Sequence, residues 1–121
     1  MVNMDNKDDL LKWLEKLKNA QKPIVVEGIN DRSALVNIGI DPSLIIILDR
    51  PLFAVAERVA KMTKEVIILT DLDKAGKKLF ITLKQDLTRL GVRIDSKYRT
   101  DLFRLSKLSH IEGIDTYFSK L

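Results

Sequence analysis

The chain contains no cysteine, which excludes disulfides, thiolate zinc sites and cysteine nucleophiles together. Its single histidine argues against zinc ligation built on imidazoles. Three prolines and five glycines leave no material for a linker, and no repeat or low-complexity tract interrupts the sequence. The longest unbroken aliphatic run, residues 44–48, is far too short to span a bilayer. Met1-Val2-Asn3-Met4-Asp5 lacks the basic and apolar regions of a secretory leader. These absences predict a cytoplasmic protein with no membrane partner.

What is present is ordinary for a globular domain: 45% hydrophobic and 31% charged residues. At 121 residues the expectation is one domain spanning 1–121, with a real core and no room for a second. The net charge of +4 suits a polyanionic partner, but it equally suits lysines that only solvate helices.

Apolar positions Leu10, Leu11, Trp13, Leu14 and Leu17 have helical spacing over residues 5–20. Lys22-Pro23 starts a strand through Val26, and Asn30 or Asp31 is placed to cap a helix bearing Ala34, Leu35 and Ile38. Gly39-Ile40-Asp41-Pro42 reads as a stop and turn. Residues 44–48 read as a strand buried on both faces, 52–62 as a helix, and 65–70 as a strand. A long helix over 74–90 ends at Gly91, a weak strand covers 92–94, and helices are expected over 97–108 and in the tail 111–121. Strands alternating with helices predict an α/β fold, with about four parallel strands covered on both faces.

Two apolar runs end in acids. Val25-Val26 leads to Glu27-Gly28, and Val66-Ile67-Ile68-Leu69-Thr70 leads to Asp71-Leu72-Asp73-Lys74-Ala75-Gly76. In an open parallel sheet, ligands bind at this carboxyl edge. Clustered carboxylates repel one another unless a cation sits among them, and hard oxygen donors suit Mg²⁺ or Mn²⁺. Asp71 and Asp73 are two apart, which places both on one face of a continuing strand. Gly28 would permit a tight turn and a close approach by phosphate. Lys74-Ala75-Gly76 opens a helix whose amides can bind an anion, with Lys77 and Lys78 adding charge. Single acids after strands are often only helix caps, and Asp31, Asp71 and Asp73 each admit that reading. The conjunction with Glu27 makes the metal site the stronger account.

Val25-Val26-Glu27-Gly28-Ile29-Asn30-Asp31 resembles the glutamate motif of the Toprim domain, and Thr70-Asp71-Leu72-Asp73-Lys74-Ala75-Gly76 resembles its Asp-x-Asp motif. Toprim domains occur in topoisomerases, bacterial primases, recombination proteins and ribonucleases that mature ribosomal RNA. The resemblance covers residues 22–94, flanked by an N-terminal helix and a C-terminal helical extension. The segments 99–105 and 110–115 look similar to small stand-alone Toprim proteins of archaea. The resemblance implies a Rossmann-like fold, Glu27 as general acid or base, and Asp71 and Asp73, with Glu27 beside them, holding Mg²⁺ or Mn²⁺. The candidate phosphate or nucleic-acid contacts are Gly28, Asp31, Arg32, Lys74, Gly76, Lys77 and Lys78, of which Asp31 matches an acidic position often present in the family. In one respect the chain departs from the pattern: type IA topoisomerases usually carry glutamate after the second motif's glycine, and here Lys77 follows Gly76.

Asp49, at the end of another strand, is a further acidic candidate, or a cap for the next helix. Tyr98 and Tyr117 read as ordinary structural tyrosines, His110 as structural or solvent-exposed, and Trp13 as core rather than a base-stacking platform. The leading functional expectation is metal-dependent phosphodiester chemistry on RNA or DNA. The alternative is a non-catalytic nucleic-acid-binding or assembly module with a protein partner in a processing complex. A phosphoacceptor receiver domain fits poorly, because only Glu27 ends the first strand. A complete primase or topoisomerase does not fit in 121 residues.

Overall fold

A computed structural model describes residues 4–121; the first three residues of the segment read for a leader lie outside the described residues. The elements run α1 (Met4–Ala20), β1 (Ile24–Val26), α2 (Ile29–Asn37), β2 (Ile45–Ile47), α3 (Leu52–Met62), β3 (Glu65–Ile68), α4 (Lys74–Arg89), β4 (Arg93–Ile94), α5 (Lys97–Leu105) and α6 (Ile114–Ser119). Short 3-10 turns at Pro42–Leu44 and Ile111–Gly113 precede β2 and α6.

The strands form one parallel sheet in the order β2-β1-β3-β4. Ile24 and Val25 face Ile45 and Ile46 on one side and Ile67 and Ile68 on the other. Such central strands are covered twice, which explains their unbroken aliphatic composition. Alternate side chains feed two cores. Ile24, Val26, Ile67 and Leu69 pack with Trp13 and Leu17 of α1, Leu35 of α2, Leu102 of α5, and Ile111 and Ile114. Val25, Ile46, Val66 and Ile68 pack with Val55 and Val59 of α3 and Leu83 and Leu87 of α4. The expected α/β fold with helices on both faces is what forms.

Chain direction in the sheet fixes where a ligand can enter. From β1 the chain moves outward to β2, and from β3 it moves the opposite way to β4. The two connections, α2 and α4, lie on opposite faces and part company between β1 and β3. This crevice is the topological switch point, the binding position of open α/β sheets.

Local differences from the sequence expectations have physical causes. Gly28, rather than Asn30 or Asp31, is the cap residue of α2, and Asp31 reaches back to accept the Gly28 amide at 3.0 Å. Helix α5 stops at Leu105, because the Ser106 hydroxyl donates to the Leu102 carbonyl at 2.6 Å and accepts the Leu108 amide, turning the chain. Gly39 and Gly91 have φ of +100° and +83°, the left-handed geometry expected at helix ends. Among the described residues no helix is long and apolar enough to cross a membrane.

Candidate metal and phosphate site

Glu27 leaves β1 on one side of the crevice, and Asp71 follows β3 on the other. The Asp71 amide donates to Glu27 Oε2 at 2.7 Å, a bond between groups 44 positions apart in the chain. The Ile111 amide donates to Asp71 Oδ1 at 2.8 Å, and the Gly76 amide to Asp73 Oδ1 at 2.7 Å. Each carboxylate thus gives one oxygen to a backbone amide. Glu27 Oε1 and Asp71 Oδ2 keep no protein partner among the described residues, while Asp73 Oδ2 faces His110 Nε2 at 3.3 Å. Amides orient the carboxylates without bringing a counter-charge to them.

Asp71 and Asp73 do not meet through the pleat of a continuing strand. β3 ends at Ile68, and residues 71–73 form a turn that the capping bond of Asp73 closes onto α4. Gly76 makes that turn possible: a Cβ there would lie 2.0 Å from the Asp71 carbonyl oxygen. Its amide is taken by Asp73 and its carbonyl by the Thr70 hydroxyl at 2.8 Å, so its role is close backbone packing. Gly28 is a different case. Its φ of −150° suits any residue, and a Cβ at this position would meet nothing within 4 Å, so no tight turn demands glycine there. The open space does leave room for a ligand to approach the backbone.

Beneath the turn lies Arg99, stacked on Phe80 and Phe103 at 5.0 and 5.5 Å. It donates to the carbonyls of Thr70 and Asp71 at 2.9 and 2.6 Å. Burial lowers the affinity of its guanidinium for a proton, while Glu27, Asp71 and Asp73 act in the opposite sense. Burial raises the Glu27 pKa above the ordinary value; Asp71, Asp73 and Asp31 push it further up, and the Asp71 amide opposes them. Asp31 is buried and also raised, first by burial and then by the charges of Asp71 and Glu112, against the pull of the Gly28 amide. The carboxyl edge is therefore a concentrated negative field.

The remaining candidates divide. Lys74, Lys77 and Lys78 are exposed on the first turns of α4. Arg32 donates to the Pro42 carbonyl at 3.4 Å. Asp49 is exposed beyond β2 and contacts its neighbour Arg50 at 3.3 Å; the acids acting on Glu27 are Asp71, Asp73 and Asp31. Trp13 is core, donating to the Tyr98 carbonyl at 2.9 Å, and the two tyrosine hydroxyls bond backbone groups. The residue that sequence reasoning undervalued is His110. One donor atom from each of Asp71, Asp73 and His110 lies within 4.8 Å of the others. Arg99 was missed as well; the only pointer to either was the resemblance carried by segments 99–105 and 110–115.

No family model matches the chain. It is 36% identical over 115 residues to a UPF0292 protein of Methanocaldococcus jannaschii, covering 93% of this chain and 89% of the relative. A UPF0292 protein of Thermococcus onnurineus is 35% identical over 105 residues, covering 87% and 77%. Among solved structures, a protein from Aquifex aeolicus superimposes with a TM-score of 0.79 at 31% identity, covering 87% of this chain and 97% of that one. This extent of shared sequence means that the chain belongs to the UPF0292 family.

Proposed function

We propose that this protein is a Toprim-like, Mg²⁺- or Mn²⁺-dependent enzyme of phosphodiester chemistry on RNA or DNA, working in the cytoplasm. The observation that carries the reading is the set of three carboxylates at the switch point, each fixed through one oxygen by a backbone amide. An edge of this kind is completed by a cation, and the oxygens of Asp71 and Asp73 not taken by amides are the donors that fit one. A bound divalent ion supplies charge for a phosphoryl oxygen and lowers the pKa of water at the site.

The chain's own groups divide the remaining work. Glu27 is held by Oε2, which leaves Oε1 to hold or accept a proton. Lys74, Lys77 and Lys78 offer positive charge to flanking phosphates. Asp71 and Asp73 would hold the ion, positioned by the Ile111 and Gly76 amides.

The test incubates the purified chain with single- and double-stranded RNA and DNA in Mg²⁺, Mn²⁺ or EDTA. Cleavage is expected with metal, abolished by EDTA, and reduced by at least about 100-fold in Glu27→Gln and in Asp71→Asn. Cleavage that survives both substitutions sinks the assignment. Salt-sensitive binding without cleavage would instead favour a nucleic-acid-binding or assembly module.

A further inference from the structure

The loop after α5 brings the chain's lone imidazole to the acidic edge, and it is fastened there on both sides. The Leu72 amide donates to the Ser109 carbonyl at 2.8 Å, and the Ile111 amide donates to Asp71 Oδ1 at 2.8 Å. Ile111 is fully buried, so the loop is anchored in the core as well as to the turn. His110 between these anchors directs Nε2 at Asp73 Oδ2, 3.3 Å away, while Nδ1 meets the Ser109 hydroxyl at 2.9 Å. In the tautomer that donates Nδ1–H to the Ser109 hydroxyl, Nε2 carries the lone pair that a metal takes, the way ligating histidines are commonly oriented.

The spacing is close to what one ion requires. Donor atoms of Asp71, Asp73 and His110 lie within 4.8 Å of one another. Donors sharing an ion at roughly 2.0–2.2 Å are separated by at most about 4.4 Å, so small side-chain rotations close the set. Asp73 and His110 are exposed enough to make them.

We infer that His110 is a third protein ligand of the metal site, and that its imidazole shifts the site's preference from Mg²⁺ toward first-row transition ions such as Mn²⁺. This rests on the metal site proposed above and adds a donor which that reading does not contain. Carboxylates suit Mg²⁺ and Mn²⁺ alike, whereas an added imidazole strengthens binding of first-row transition ions and does little for Mg²⁺.

Calorimetric titration of the full chain with Mn²⁺ and with Mg²⁺, joined to pulsed EPR of the Mn²⁺ complex, decides it. Mn²⁺ is expected to bind at least about tenfold more tightly than Mg²⁺, with a hyperfine coupling to a directly bound nitrogen. His110→Gln should remove that coupling and weaken Mn²⁺ by at least about tenfold, while Mg²⁺ affinity changes by less than about threefold. Suppose Mn²⁺ binds, is lost in Asp71→Asn, and yet shows no nitrogen coupling and no response to His110→Gln. The His110 assignment then falls and the carboxylate site stands. Absence of saturable binding by either ion to the unsubstituted chain overturns the underlying metal reading, and this one with it.

Discussion

Acids gather at two places around the sheet, and they are treated differently. Beside the start of β1 and β3, Glu65 is bridged by Lys22 and by Arg93, the latter at 3.0 Å, and Lys22 also reaches Asp95 at 3.4 Å. At the carboxyl edge, Glu27, Asp71 and Asp73 receive backbone amides instead of basic side chains, apart from the His110 contact. Basic residues close by do not fill the gap: Arg99 faces carbonyls, and Arg32 faces Pro42. A pair of opposite side chains completes a surface, whereas amide-held carboxylates keep their charge available to something from outside. The first group closes its charges within the fold, and the second keeps carboxylate oxygens that no lysine or arginine pairs among the described residues.

The strongest way to probe this contrast is to press on the two ends of α4. Gly76→Ala forces a Cβ against the Asp71 carbonyl, with 2.0 Å between them, and should cost about 3 kcal/mol. Gly91→Ala meets open space but keeps a φ of +83°, so it should cost about 1 kcal/mol. Urea denaturation of both variants checks the ranking. Equal losses would mean that the turn at the site yields as easily as an ordinary helix end.

Next in size is the response to metal. A divalent ion at about 100 times its Kd should stabilise the protein by about 2.7 kcal/mol, read as a rise in Tm. Asp71→Asn should abolish that rise, and Glu65→Gln should leave it unchanged. A shift that persists in Asp71→Asn would move the ion away from the carboxyl edge.

The smallest effects are in pH, and they have opposite signs at the two places. Glu27 has a folded pKa raised above 4.5, so the native state binds the extra proton, and stability declines as pH rises through the window above that value. Without divalent ions, Glu27→Gln should therefore raise Tm at pH 7, with the gain fading below about pH 4.5. Glu65 is lowered, first by the Lys22 hydrogen bond, so its contribution is present above 4.5 and is lost as pH falls through the lower folded value. Glu65→Gln should lower Tm slightly at pH 7 and converge with the parent in acid. If both variants move Tm the same way at pH 7, the electrostatic contrast is wrong.

Much of this architecture was readable from local pattern. Aliphatic runs such as 24–26 and 45–47 announce strands buried on both faces, and the lysine-flanked apolar spacing of α1 announces a helix. The Glu27 and Asp71 pair was legible because strand ends carry ligands in this class of sheet. What stayed hidden depends on long-range return of the chain. No local signal in His110 or Arg99 tells that Ile111 is buried beneath Asp71's turn or that Phe80 and Phe103 hold a guanidinium there. Gly76 was legible as a motif residue, but its reason, backbone contact with Asp71, appears only when the turn is formed. Asp31 reads equally well as a cap or a ligand until its bond to the Gly28 amide is seen.

The bond from the Ile111 amide to Asp71 also sets an order of events. The two residues are 40 positions apart, and the acid emerges from synthesis long before the amide that orients it. A nascent chain extending only through β4 carries the residues of all four strands and every carboxylate of the edge, but it lacks both the Ile111 amide and the core residues Leu102, Ile111 and Ile114. Orientation of Asp71 therefore waits for the segment after β4, the same segment that completes the core on one face of the sheet.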